Sequence, residues 1–145
     1  MAGWTTSEVV LTQSLAERTK VVSKFLHIAK ACQRLHNYAT VTQIVMGLQS
    51  NHVSALKKTW EGLSSKDMKL WHELQELVDS RKNWSKMRNE MEKSTVGPRR
   101  KGEGCIPFVG IHHYIKYTNC RYFYVGSRSC YHPISIAWEN RLRGP

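Results

Sequence analysis

Residues 17–48, ERTKVVSKFLHIAKACQRLHNYATVTQIVMGL, decide the fold class. Val21, Phe25, Ile28, Cys32 and Leu35 recur at steps of three and four, the spacing of one apolar stripe on a helix, with Lys20, Lys24, Lys30 and Arg34 largely off it. His36-Asn37-Tyr38 interrupts that stripe. Val41, Ile44, Val45 and Leu48 then restart the same period, with Thr40 as a candidate N-cap. Two helices joined so briefly should lie against each other. The stripe through Val21, Phe25, Ile28, Leu35, Ile44 and Leu48 is read as core, with no binding role.

Outward from this pair the helical texture continues. Gln49 to His52 is a polar break, after which Val53, Leu56 and Trp60 mark a shorter apolar face. Ser64 followed three residues later by Asp67 resembles a capping box with Asp in place of Glu or Gln. Leu70, Leu74, Leu77 and Val78 then form a further stripe. A fifth, weaker helix carries Trp84, Met87 and Met91. No alternating strand pattern and no fixed-period repeat interrupts this run, so the expected class is all-α. Ser94 to Gly104, with three glycines, a proline and three consecutive basic residues, reads as an exposed loop. Cys105-Ile106-Pro107-Phe108-Val109-Gly110-Ile111 is an apolar run broken by proline, expected to be extended and buried. Residues 121–145 show no useful period and are expected to form an irregular, poorly ordered C-terminal tail.

Composition sets the outer limits. At 145 residues the chain is one domain's worth of sequence, and its 41% hydrophobic and 23% charged residues are near globular averages. No apolar run approaches a membrane span, and MAGWTTSEVV lacks the layout of a signal peptide, so a cytoplasmic location is expected. Cys32, Cys105, Cys120 and Cys130 are spread without close pairing and are expected to be free thiols. The net charge of +11 admits nucleic acid, an acidic membrane surface or an acidic protein as partner. Because the basic residues are scattered along helices, nucleic acid is not the expected partner, and peripheral recruitment to an acidic membrane remains open.

The usual enzymatic patterns are absent. Gly102, Gly104 and Gly110 lack the spacing of a phosphate-binding loop and its following Lys-Ser/Thr. Cys120, Cys130, His112, His113 and His132 match no zinc-ligand spacing. No nucleophile has a recognisable base and orienting partner, so neither a metal, a cofactor nor a catalytic residue is expected.

Three strings carry a resemblance to a known family. RTKVVSKFLHIAKACQRLHNYATVTQIVMGLQSNHVSALKKTW (18–60), LSSKDMKLWHELQELVDSRKNW (63–84) and CIPFVGI (105–111) resemble, in order and register, the catalytic domain of Ras-type guanine nucleotide exchange factors. Trp4 to Val10 is similar to the helix start that precedes them. The resemblance implies an all-helical domain, here partial and covering residues 4–120, with the tail unrelated to it. It implies no covalent chemistry. Such proteins bind a Ras, Rap or Ral GTPase, displace its first switch with a helical hairpin and remodel the second, so that nucleotide leaves.

The same resemblance implies residue roles. Asn37 would fix a helix junction, with His36 standing where the family has another asparagine. Gln49, at a position often held by asparagine, would face the second switch, and Ala55 replaces a customary arginine nearby. Asn83 and Trp84 correspond to a polar and aromatic pair near the same surface, with a core role for Trp84 equally open. Trp60, Pro107 and Gly110 take structural roles. Phe108 would anchor the prying helix, to which His113, Tyr114 and Tyr117 would belong as GTPase contacts. Cys120 and Arg121 occupy the stretch where an acidic residue is expected, and an arginine there reverses the charge. The expected activity is therefore weak exchange from a truncated domain. The alternatives are a module that binds a GTPase or scaffold without promoting exchange, and a basic nucleic-acid-binding protein.

Overall fold

A computed structural model describes residues 1–95 and 105–111. The chain is all-α: seven helices run as α1 (Ala2–Leu11), α2 (Leu15–Arg34), α3 (Tyr38–Leu48), α4 (Asn51–Ser54), α5 (Lys57–Glu61), α6 (Ser65–Leu77) and α7 (Ser85–Thr95), with short 3-10 turns at Ser80–Lys82 and Val109–Ile111. Ser94 and Thr95, read as the start of a loop, instead end α7, because the helix continues past its last buried methionine; the rest of that loop, 96–104, and the tail 121–145 lie outside the described residues.

Helix α2 is the axis of the fold, and its orientation corrects the sequence reading. Good helix formers fill it, Glu17 in its first turn and Arg34 in its last suit the macrodipole, and it runs twenty residues unbroken. Its buried residues are Val22, Phe25, Leu26 and Ala29. The expected stripe shares only Phe25 with this set: Ile28 is 46% exposed, Leu35 is 74% exposed, and Val21 and Cys32 are half-buried. Two overlapping apolar stripes satisfy the same period, one rotated from the other by about one residue. The inward one carries Ala29, whose small side chain admits close approach of a neighbouring helix. Each fully buried aliphatic side chain, such as Leu26, contributes about 2 kcal/mol.

The α2–α3 junction is closed by hydrogen bonds on both sides of one residue. His36 takes the left-handed conformation (φ 54°), its N–H donating to Gln33 O at 3.0 Å, while Asn37 N–H reaches back to Cys32 O at 2.8 Å. This is a Schellman arrangement with histidine where glycine or asparagine is usual. Asn37 then caps α3, its Oδ1 accepting from Thr40 N–H at 3.1 Å. The cap is Asn37 and not Thr40, which is a donor to it. Below the junction Tyr38, Val41, Ile44, Val45 and Leu48 are buried against α2.

Helix α1 lies across α3 at Gly47, where an added Cβ would come within 2.7 Å of Ala2 O and 2.8 Å of Thr5 Cβ. Only a residue without a side chain permits this approach. Thr6 Oγ1 donates to Gly47 O at 3.0 Å across the same contact. On the other flank α6 runs parallel to α2, joined by Ser23 Oγ to Asp67 Oδ2 (3.0 Å) and by the ion pair of Lys30 with Glu73 (3.1 Å). Ser64 accepts from Asp67 N–H at 3.1 Å, which is one half of the capping box. The Asp67 carboxylate itself turns to α2, meeting Ser23 and His27. Leu74, Leu77 and Val78 are buried as the spacing implies, with Leu70 half-buried and Trp71 joining them.

The segment 105–111 returns to the α2–α3 junction. Ile106 N–H donates to His36 O and Tyr38 N–H donates to Ile106 O, each at 2.9 Å, forming a parallel bridge between Asn37 and Ile106. Cys105 and Ile111 are buried, but Ile106 is 40% exposed, because pairing its backbone to the junction turns its side chain outward. Cys32 is a free thiol.

Candidate functional site

Some of the residues singled out from the sequence lie at or next to a cleft beside the end of α6. Gln49 ends α3 in a right-handed conformation, its backbone N–H spent on Val45 O at 2.9 Å, so its exposed side chain is left for other work. It borders a cleft of about 510 Å³ whose other wall is Gln75, Glu76, Asp79, Ser80 and Arg81 at the end of α6. Asn83 and Trp84 follow closely on Arg81 in the chain, just past that wall of the cleft.

The turn is held by its own polar groups. Asp79 Oδ1 accepts from Arg81 N–H at 3.0 Å and from Arg81 Nε at 3.0 Å, and Arg81 Nη2 reaches Asp79 Oδ2 at 3.3 Å. These hydrogen bonds from Arg81 hold the Asp79 carboxyl below the ordinary carboxylate range and raise the guanidinium. Lys86 pairs with Glu76 across the mouth of α7 and lowers that carboxyl likewise. The cleft thus carries fixed charges of both signs at neutral pH.

Asn83 and Trp84 follow in consecutive left-handed conformations, φ 50° and 48°. Asparagine tolerates this region, but for a bulky residue such as tryptophan it is an outlier that surrounding structure must enforce. Three contacts enforce it here. Trp84 N–H donates to Asp79 O at 3.1 Å, Arg88 donates to Asn83 O, and the Trp84 ring meets Phe108, centroids 6.0 Å apart at 52°. The φ reversal at both residues redirects the chain from the turn into α7, whose Met87 and Met91 are buried.

Phe108 is half-buried beside the core and folds back over Gly110, where an added Cβ would lie 2.4 Å from its ring. A side chain at Gly110 would push the ring away from Trp84. Pro107 precedes Phe108 in the extended stretch, half-buried. Behind the strap, Tyr38, Gln33 and Glu90 tie α7 to the α2–α3 junction. Gln33 Nε2 lies 3.0 Å from both Glu90 carboxylate oxygens, and Tyr38 Oη donates to Glu90 Oε2 at 3.4 Å. Burial, reinforced by the Glu90 carboxylate, raises the Tyr38 phenol well above its ordinary value.

The residues predicted from the sequence separate into groups. Gln49 borders the cleft, Asn83 and Trp84 follow its Arg81 wall in the chain, and Phe108 packs on Trp84. Asn37 caps α3 at the junction that receives Ile106. Trp60 is away from the cleft: it donates Nε1–H to Val53 O at 3.0 Å and packs on Trp71, ring centroids 5.0 Å apart. His113, Tyr114 and Tyr117 lie outside the described residues. Sequence reasoning missed the Asp79–Arg81 clamp and the cleft wall at Gln75 and Glu76. An aspartate just past the last apolar residue of a helix, followed two residues later by arginine, was the available signal. Among the described residues no group of three or more His, Cys, Asp or Glu is arranged to hold a metal, and no helix is long and apolar enough to cross a membrane. The surface offers hydrogen bonds, fixed charges and a braced aromatic, the means of binding another macromolecule.

Comparison with known proteins adds a lineage. The RasGEF domain matches residues 1–121. The chain is 34% identical over 109 residues to Guanine nucleotide exchange factor LTE1 of Candida glabrata, covering 75% of this chain and 8% of that protein. It is 28% identical over 111 residues to Ras guanine nucleotide exchange factor M of Dictyostelium discoideum, covering 77% and 11%. With Ras guanine nucleotide exchange factor D of the same organism the identity is 37% over 110 residues, covering 76% and 15%. The chain therefore spans only a small part of the length of these relatives.

Proposed function

We propose a function from one premise: the chain belongs to the RasGEF domain family. It binds a small GTPase of the Ras superfamily and promotes release of its bound nucleotide, acting without covalent chemistry. The reading rests on one observation above the rest, the cleft bordered by Gln49 and the adjoining Asn83–Trp84 turn, which Phe108 braces from behind. A strained turn locked by a clamp and an aromatic contact is pre-organised, so little ordering entropy is lost when a partner docks on it.

Exchange requires only differential binding. A surface that fits the opened, nucleotide-free GTPase better than the loaded one lowers nucleotide affinity by the same factor, because linkage is reciprocal. A tenfold preference corresponds to about 1.4 kcal/mol, which a few hydrogen bonds from a rigid surface supply. In this proposal Gln49 and Asn83 provide polar contacts to the second switch, Trp84 an apolar one, and His113, Tyr114 and Tyr117 contact the GTPase from the segment after Phe108.

A second reading has a specific observation in its favour. Cys120 and Arg121 stand where the family carries an acidic residue, so the chain binds a GTPase without opening it. Release of a fluorescent guanine nucleotide from Ras, Rap and Ral, with and without the chain, separates the two. Faster release from any of them supports exchange and identifies the partner. Unchanged release together with stable capture of the nucleotide-free GTPase supports the second reading, and neither effect from a folded chain refutes both.

A further inference from the structure

The outward face of α2 is a feature that the proposed GTPase-facing surface leaves unused. Lys20, Lys24, Ile28, Ala31 and Leu35 lie at helical spacings of four, four, three and four residues, and all five are exposed. Two lysines open the stripe and aliphatic side chains close it. Beside it, the parallel helix α6 contributes exposed Lys66 and Lys69, on either side of the Asp67 that bonds Ser23 and His27. None of these four lysines has a carboxylate within ion-pairing distance among the described residues, where the four ion pairs are His27–Asp67, Lys30–Glu73, Arg81–Asp79 and Lys86–Glu76. Two of the acids nearby are already engaged, Asp67 with Ser23 and His27 and Glu73 with Lys30, while Glu17 lies one turn before Lys20.

Unpaired ammonium groups next to exposed aliphatic side chains on one helix are the pattern of an interfacial helix, which attracts anionic headgroups and buries apolar side chains at the acyl boundary. Nucleic acid would use the lysines but give nothing to Ile28 and Leu35, which are 46% and 74% exposed. The net charge of +11 supplies the long-range attraction. We infer that the α2 face carrying Lys20, Lys24, Ile28 and Leu35, with Lys66 and Lys69 on α6, docks on an anionic lipid bilayer. This face is built from residues other than Gln49, Asn83, Trp84 and Phe108, so the two surfaces can be tested apart.

The test is sedimentation of the full chain with vesicles of phosphatidylcholine alone and with roughly one third phosphatidylserine or, separately, phosphatidylglycerol. Binding is expected only to the anionic vesicles, equally for the two headgroups, and weakening with salt. Each lysine near an anionic surface is worth about fivefold in partitioning, so Lys20→Gln with Lys24→Gln should reduce it on the order of twentyfold. Ile28→Ser with Leu35→Ser should reduce it at least tenfold at unchanged charge. All four positions are exposed, and an unchanged helical circular dichroism signal verifies that the variants fold. Absence of binding to anionic vesicles, or equal binding by either double variant, overturns the proposal. So does retention on random duplex DNA at a salt concentration where vesicle binding is lost.

Discussion

The ring of Phe108 leans on the ring of Trp84, centroids 6.0 Å apart, and thereby holds a tryptophan in a backbone conformation that tryptophan avoids. The strap carrying Phe108 is itself fixed by its backbone to the α2–α3 junction. Shape at the candidate site is thus imposed from two directions, by the Asp79–Arg81 clamp in front and by the strap behind.

Removing the brace should loosen the turn. Phe108→Ala is expected to destabilise the protein by about 2 kcal/mol, below the range for truncation of a fully buried aromatic because the ring is only half-buried. The same change should weaken any effect on nucleotide release more than tenfold. Urea unfolding, Trp84 emission and GDP release measured together check this, and unchanged emission would show that the ring contact does not govern the turn.

Gln49 offers the opposite contrast. Its side chain is exposed and contributes no intramolecular hydrogen bond, so Gln49→Ala should leave stability within about 0.5 kcal/mol. Loss of one intermolecular hydrogen bond should weaken GTPase binding about two- to tenfold. Titration calorimetry against the responding GTPase, beside a thermal melt, reads both.

Asn37 closes α2 with its backbone and opens α3 with its side chain. Asn37→Ala should cost about 1 kcal/mol through the lost cap, whereas Asn37→Ser should recover most of it. Urea midpoints at constant slope give the comparison.

His36 occupies a left-handed position with a Cβ. Glycine there is free of that steric penalty, so His36→Gly is expected to stabilise the fold by up to about 1 kcal/mol. A lower midpoint would mean that the contact of His36 Nδ1 with Tyr38 Oη, at 3.4 Å, outweighs the backbone term.

Tyr38 predicts an alkaline limb. Its phenol is raised above the ordinary value of 10.0 by burial and by Glu90. Unfolding lets it ionise while the folded protein still holds the proton, so the folded state binds more protons and stability falls as pH rises past 10. Below that pH the contribution is constant. In Tyr38→Phe this part of the decline should vanish; denaturant melts between pH 8 and 11 compare the two slopes.

Much of this architecture could be read from residue spacing. The break at His36–Tyr38, the Ser64 cap and the buried Leu74, Leu77 and Val78 follow from local periodicity and capping chemistry. The rotation of α2 did not, because Val22, Leu26 and Ala29 fit the helical period as well as Val21, Ile28 and Leu35 do, and only packing against α3 distinguishes them. The displaced cap has a similar cause. Thr40 and Asn37 are both good N-cap residues, and the Schellman closure of α2 selects Asn37. At the candidate site, Gln49, Asn83, Trp84 and Phe108 were singled out through family resemblance. Their arrangement in space depends on two left-handed residues and a distant strap, which no local pattern announces.

The pairing of Asn37 with Ile106 also bears on the order of events during synthesis. Helices α1 to α3 contact one another within the first fifty residues and can assemble as soon as they emerge, whereas the segment 105–111 is made much later, so its backbone hydrogen bonds to His36, Tyr38 and Ala39 form last. A nascent chain therefore acquires its helical bundle early and its Trp84 brace late. The Trp84 brace is complete only after the ribosome has delivered residue 108, and the residues proposed to contact the GTPase beyond it, His113, Tyr114 and Tyr117, are made later still.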